Sequence, residues 1–85
     1  MARPIVALAL RQLRLSLGCT QDEFARRLKV QLPTVGKWET SHPPAGHRLK
    51  KLLLLARAHR HPATEVFRRA LEEERLMKVR EGPGC

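Results

Sequence analysis

The sequence predicts an all-α fold of five helices, the last of them long. Three observations lead there. Leucine and alanine dominate the apolar side chains, and Phe24, Trp38 and Phe67 are the only aromatic ones, a set that favours helix over sheet. Apolar residues return at three- and four-residue spacing in five separate stretches. Between those stretches stand residues that end or begin helices: Gly18, Pro33, Pro43-Pro44 and Pro62. A chain of 85 residues can bury one modest core. A domain this small, without disulfides or a metal, commonly gains stability by association.

Residues 1–4 are expected to form a flexible arm, with Arg3 reaching a minor groove as the other reading. Helix 1 should run from about Ile5 to Ser16, because Val6, Leu10, Leu13 and Leu17 make one stripe. Leu8 and Leu15 fall off that stripe and need cover from another element. Gly18 follows as the residue able to turn left-handed and end the helix. Thr20 then caps helix 2, and Glu23, three residues on, has capping-box spacing. Phe24, Ala25 and Leu28 share its inner face. Lys29 to Gln31 break the pattern. Gln31 is a poor cap, but Pro33 suits the first turn of helix 3. Val35 and Trp38 point inward, leaving Leu32, Thr34 and Lys37 outward. Trp38 is read as core, since it shares a face with Val35.

The segment from Thr40 to Pro44 cannot remain helical. Helix 4 should start near Ala45–His47 and reach about His59, with Leu49, Leu52, Leu53 and Ala56 inward. Leu54 and Leu55 follow directly, and one surface cannot bury four consecutive leucines. Such an apolar surplus usually marks an interface. The last helix should span about Pro62 to Arg80, with Pro62 at its first position. Val66, Phe67, Ala70 and Leu71 form its stripe, with Leu76, Met77 and Val79 beyond. That length exceeds what the core requires. We read residues 61–80 as a dimerisation helix, with Leu54, Leu55, Phe67, Leu71 and Leu76 at the interface. A helix folded back on its own core is the alternative. Residues 81–85 are expected to form a disordered tail.

The formal net charge is +9. Residues 1–60 carry twelve basic and three acidic side chains, whereas residues 61–85 carry five of each. The excess lies wholly in residues 1–60, as a polyanion binder requires. Cys19 and Cys85 form no framework and are read as reduced thiols. Ile5 to Leu10 is too short for a secretory signal, and Leu52 to Ala56 is far below a membrane span. A soluble, cytoplasmic protein is expected. His42, His47, His59 and His61 fit no structural zinc spacing, and no catalytic motif is present. Neither metal nor other cofactor is expected, and the chain is not read as an enzyme.

Leu17-Gly18, Thr20-Gln21, Phe24-Ala25, Leu28, Val30, Thr34-Val35, Lys37-Trp38-Glu39 and Pro44, spread over residues 8–60, resemble the helix-turn-helix of the lambda-repressor/Cro-like (XRE) family. The resemblance makes residues 5–60 a DNA-binding domain and duplex DNA its partner. It implies that Gln21 binds phosphate through its side-chain amide, and that helix 3 enters the major groove with Gln31, Leu32, Pro33, Thr34 and Lys37. It lays Thr40, Ser41 and His42 along a phosphate backbone, beside the N–H groups that open helix 4. It also implies an ion pair between Arg14 and Glu39. Two departures stand out: Leu32 and Pro33 cannot hydrogen-bond bases, and Ser41 stands where the family often has glycine.

These readings make the chain a homodimeric, sequence-preferring transcriptional regulator. It would be a repressor, or the antitoxin of a pair with a toxin as protein partner. The alternative is a protein-interaction adaptor that uses helices 4 and 5, with weak or nonspecific DNA binding. Nonspecific coating of nucleic acid by a basic domain is a third reading.

Overall fold

The computed structural model describes residues 4–81. Residues 1–3 of the expected 1–4 arm, with Arg3, the side chains of Pro4 and of residues 78–81, Val79 among them, and tail residues 82–85, with Cys85, lie outside that description, and Pro4 opens α1. The described residues form five α-helices: α1 (Pro4–Ser16), α2 (Gln21–Leu28), α3 (Leu32–Thr40), α4 (Gly46–Ala58) and α5 (Ala63–Glu81). Glu81 therefore belongs to α5 and not to a tail.

Local chemistry sets most of the boundaries. Gly18 takes φ 69° after α1. The amides of Gly18 and Cys19 then bond back to the carbonyls of Leu15 and Arg14. The capping box of α2 forms in both directions: the Glu23 amide donates to Thr20 Oγ1 at 3.1 Å, and the Thr20 amide to Glu23 Oε1 at 2.8 Å. Lys29 ends α2 in the left-handed region at φ 60°, where glycine is usual. Gln31 makes no side-chain cap for α3. His61 caps α5 through its ring: the Ala63 amide donates to Nδ1 at 3.0 Å, so that nitrogen carries no proton. Pro62 thus holds the first position after the cap, where its missing amide costs nothing. Along α5, Glu65 accepts hydrogen bonds from Arg68 and then Arg69, which hold its carboxyl below the ordinary range. All three are exposed, so these pairs add little stability.

One core joins the five helices. Val6, Leu10 and Leu13 of α1 meet Phe24 and Leu28 of α2, Val35 and Trp38 of α3, Leu49 and Leu52 of α4, and Phe67 of α5. The first half of α5 packs on both α4 and α1, with Ala63 and Ala70 flanking Phe67 and letting the helices approach closely. Folding back therefore prevails over this half. Phe67 is a correction to the expected dimer interface: at 0% exposure its ring lies inside its own core. Leu55 and Leu71 are half-buried against that core, while Leu54 and Leu76 are each 52% exposed. Among the described residues nothing covers Leu8 and Leu15, which stand 56% and 57% exposed.

Candidate nucleic-acid interface

The outward flank of α3 is presented by what its inner flank binds. Val35 and Trp38 are buried, three residues apart on one side. Helical geometry then turns Leu32, Pro33 and Lys37 to solvent, with Thr34 and Gly36 partly exposed. Leu32, a large apolar side chain, is 45% exposed there.

A carboxylate at the end of α3 locks this orientation. Glu39 receives Arg14 Nε at 2.7 Å on Oε2 and Arg14 Nη2 at 3.3 Å on Oε1. Gln21 Nε2 also donates to Oε1, at 3.1 Å. Arg14 Nη1 reaches the Cys19 carbonyl at 3.0 Å. One arginine on α1 and one glutamine opening α2 thus grip one glutamate on α3. The Arg14 and Glu39 side chains are only 11% and 6% exposed, so the forked pair works where water screens it weakly.

That network alters what Gln21 offers. Its amide nitrogen is expected to face phosphate, yet one of its hydrogens is directed at Glu39. The second N–H is what remains for a ligand. Gln21 is a brace between α2 and α3 first. Its Oε1 lies 4.0 Å from where a Cβ on Gly36 would stand, an ordinary contact. Nothing inside the protein therefore requires glycine at position 36, where it weakens helix by roughly 1 kcal/mol relative to alanine.

Beside α3 lies an open cleft of about 400 Å³. Thr34, Lys37 and Trp38 form one wall, His42 to Ala45 the floor of the loop, and Arg48 the other wall. Lys37 and Arg48 bring two cations to one opening. Arg48 is a functional candidate that the sequence reading missed. Its position off the Leu49/Leu52 face put it on the surface, but only the loop path sets it beside α3.

The remaining expected phosphate ligands are partly engaged. The Thr40 hydroxyl donates to the Gly36 carbonyl at 2.8 Å, within α3. Ser41 Oγ and His42 Nδ1 lie 3.0 Å apart and bond to each other on the exposed loop. Gln31 is exposed and unengaged by any cap. Of the N–H groups at the start of α4 that are expected to face phosphate, the first is engaged within the protein. The Gly46 amide donates to the Glu74 carboxylate of α5, at 3.0 and 3.3 Å. Glu74 supplies the negative charge that the α4 N-terminus favours. Gly46 adopts φ 58°, a conformation few other residues take without strain.

Among the described residues no group of three or more His, Cys, Asp or Glu side chains gathers to hold a metal ion. No described helix is long and apolar enough to cross a membrane. Lys37 and Arg48 give the cleft beside α3 a positive rim.

Comparison with known proteins agrees with that geometry. The helix-turn-helix family model matches residues 10–55, more than half of the chain, from α1 into α4. No curated protein and no solved structure matches the chain. The matched segment contains the braced α2–α3 pair and the cleft beside it, and the chain belongs to the lambda-repressor/Cro-like (XRE) family of DNA-binding helix-turn-helix proteins.

Proposed function

We propose that this DNA-binding protein is a sequence-preferring transcriptional regulator, of repressor or antitoxin type, that sets α3 into the major groove as a homodimer. The observation carrying this reading is the outward flank of α3, fixed by Val35, Trp38 and the Glu39 brace, with the Lys37/Arg48 cleft alongside. Leu32 and Pro33 suit contact with thymine methyl groups, and Lys37 suits guanine O6 or N7. Gln31 and Thr34 add polar contacts to the groove. Arg48, Thr40, Ser41, His42 and the second amide hydrogen of Gln21 hold phosphates and set the register. With so few side-chain hydrogen bonds to bases, DNA shape supplies part of the preference. The dimer contact rests on Leu71 and the exposed Leu76 of α5. Two copies of α3 would then lie about 34 Å apart, one turn of duplex, which is the spacing this family uses. Binding over a promoter would exclude polymerase.

Selection of bound sequences from a random duplex pool tests this directly. A motif with two-fold symmetry is expected. Against the selected duplex, Lys37→Ala should weaken binding by about 1–3 kcal/mol, the worth of a base contact. Its effect on a random duplex should be smaller. Equal loss on both would reduce Lys37 to a phosphate contact and remove the main source of preference.

Gly36 gives a second test. We read it as room for close approach of DNA to the α3 backbone, because the protein itself leaves space for a Cβ there. Gly36→Ala should raise thermal stability by roughly 1 kcal/mol and at the same time weaken binding to the selected duplex. Stabilisation with undiminished binding would show that α3 stands further from the groove.

A further inference from the structure

A second groove lies between the end of α2 and the middle of α4, and shares no lining residue with the cleft beside α3. Its volume is about 350 Å³. Leu28, Leu54 and Leu55 make its apolar part, and Arg27, Lys29 and Lys51 its rim. Leu28 is buried, Leu55 half-buried and Leu54 open to solvent. Lys51 Nζ donates to the Leu28 carbonyl at 3.4 Å, at the end of α2. Among the described residues no carboxylate lies within ion-pair distance of Arg27, Lys29 or Lys51.

A cation near a helix C-terminus is favourable on its own account, and Lys51 meets that need. It does not explain two further cations or the open Leu54 beside the half-buried Leu55. Three occupants can be weighed by charge and polarity. A second copy placed face to face would set the same three cations against each other, and like charges across an interface oppose association. Duplex DNA would satisfy the cations but leave the leucines without apolar contact. A helix bearing both carboxylates and leucines satisfies rim and floor together.

We propose that the α2–α4 groove docks an acidic amphipathic helix of another protein. Leucines of that helix cover Leu54 and Leu55, and its flanking carboxylates meet Arg27, Lys29 and Lys51. The groove shares no lining residue with the cleft beside α3, and under this proposal the two are occupied independently.

Fluorescence anisotropy on the full chain tests it with a labelled synthetic helix that carries leucines at i, i+4 and i+7 and glutamates beside them. A matched peptide with serine for leucine keeps the charge. The leucine peptide should bind at least about tenfold more tightly than the serine peptide. Leu54→Ser and Lys51→Glu should each weaken it by about tenfold, while Lys37→Ala leaves it unchanged and duplex DNA does not displace it. Both substituted side chains are exposed, so the helical circular dichroism should persist; Arg27→Glu serves if Lys51→Glu disturbs it. Equal binding of the two peptides would reduce the effect to bulk charge and overturn the proposal. Displacement by DNA would make the groove a phosphate surface. Loss of self-association in Leu54→Ser, with peptide binding intact, would assign the groove to a second copy.

Discussion

Arg14→Ala should destabilise the protein by several kcal/mol, toward the roughly 3–5 kcal/mol that breaking a fully buried ion pair costs, because both side chains are nearly buried. Glu39 would keep only the bond from Gln21 Nε2, and the Cys19 carbonyl would lose its donor. Small domains hold about 5–15 kcal/mol in all, so the variant should unfold at a far lower urea midpoint. The physical cause is desolvation: Glu39 is nearly buried, so water cannot take the place of the guanidinium. Replacing both partners, as Arg14→Met with Glu39→Met, should recover most of the loss, because no unpaired charge then remains. A single-variant cost below about 1 kcal/mol would mean that the pair behaves like an exposed one. The double variant should nevertheless bind DNA less well, since α3 would lose the brace that fixes its angle to α2.

Phe67→Ala should cost about 3–5 kcal/mol through the cavity left by a fully enclosed ring. Phe67 sits among α1, α4 and α5, so collapse of the space would require all three helices to shift. Leu76→Ser is the informative contrast. Its side chain is half exposed at the far end of α5, and its substitution should leave the urea midpoint of the monomer within about 0.5 kcal/mol. It should instead lower the sedimentation coefficient if α5 carries the dimer contact. Were Phe67→Ala to leave the midpoint unchanged and alter only association, the core assignment of α5 would be wrong.

The two residues separate what periodicity can and cannot tell. Phe67 and Leu76 are both apolar residues expected at the dimer interface, but nine residues apart they stand on opposite sides of one helix. The sequence marks both as apolar but contains nothing about which side of α5 the opposing helices cover or where they end. α1 and α4 cover α5 over its first half, and the contact runs out near Glu74, where α4 begins. Leu8 and Leu15 show the same limit on α1: they fall off the stripe, and among the described residues nothing covers them.

Position 74 is the clearest case of long-range information. Glu74 is one of three consecutive glutamates, and in sequence it resembles a solvated charge. It lies 28 residues from the Gly46 amide that it accepts. No local rule links the two. Arg48 and the loop beside α3 follow the same logic, because the return of the chain at Pro43-Pro44 decides what α4 brings to the cleft.

By itself the sequence determined the five helices, the turns between them and the buried faces of α1 to α4. Those features depend on contacts within three or four residues: the Thr20–Glu23 box, the left-handed Gly18 and the Val35/Trp38 spacing. Apart from the Arg14–Glu39 pair, which the family resemblance implied, tertiary structure decided which polar groups meet across helices. It turned Gln21 toward Glu39, gave the α4 N-terminus to Glu74, enclosed Phe67 and left Leu54 open amid three cations. The reason is that a side chain's partner across the core depends on the angles and ends of whole helices, which no short stretch of chain contains.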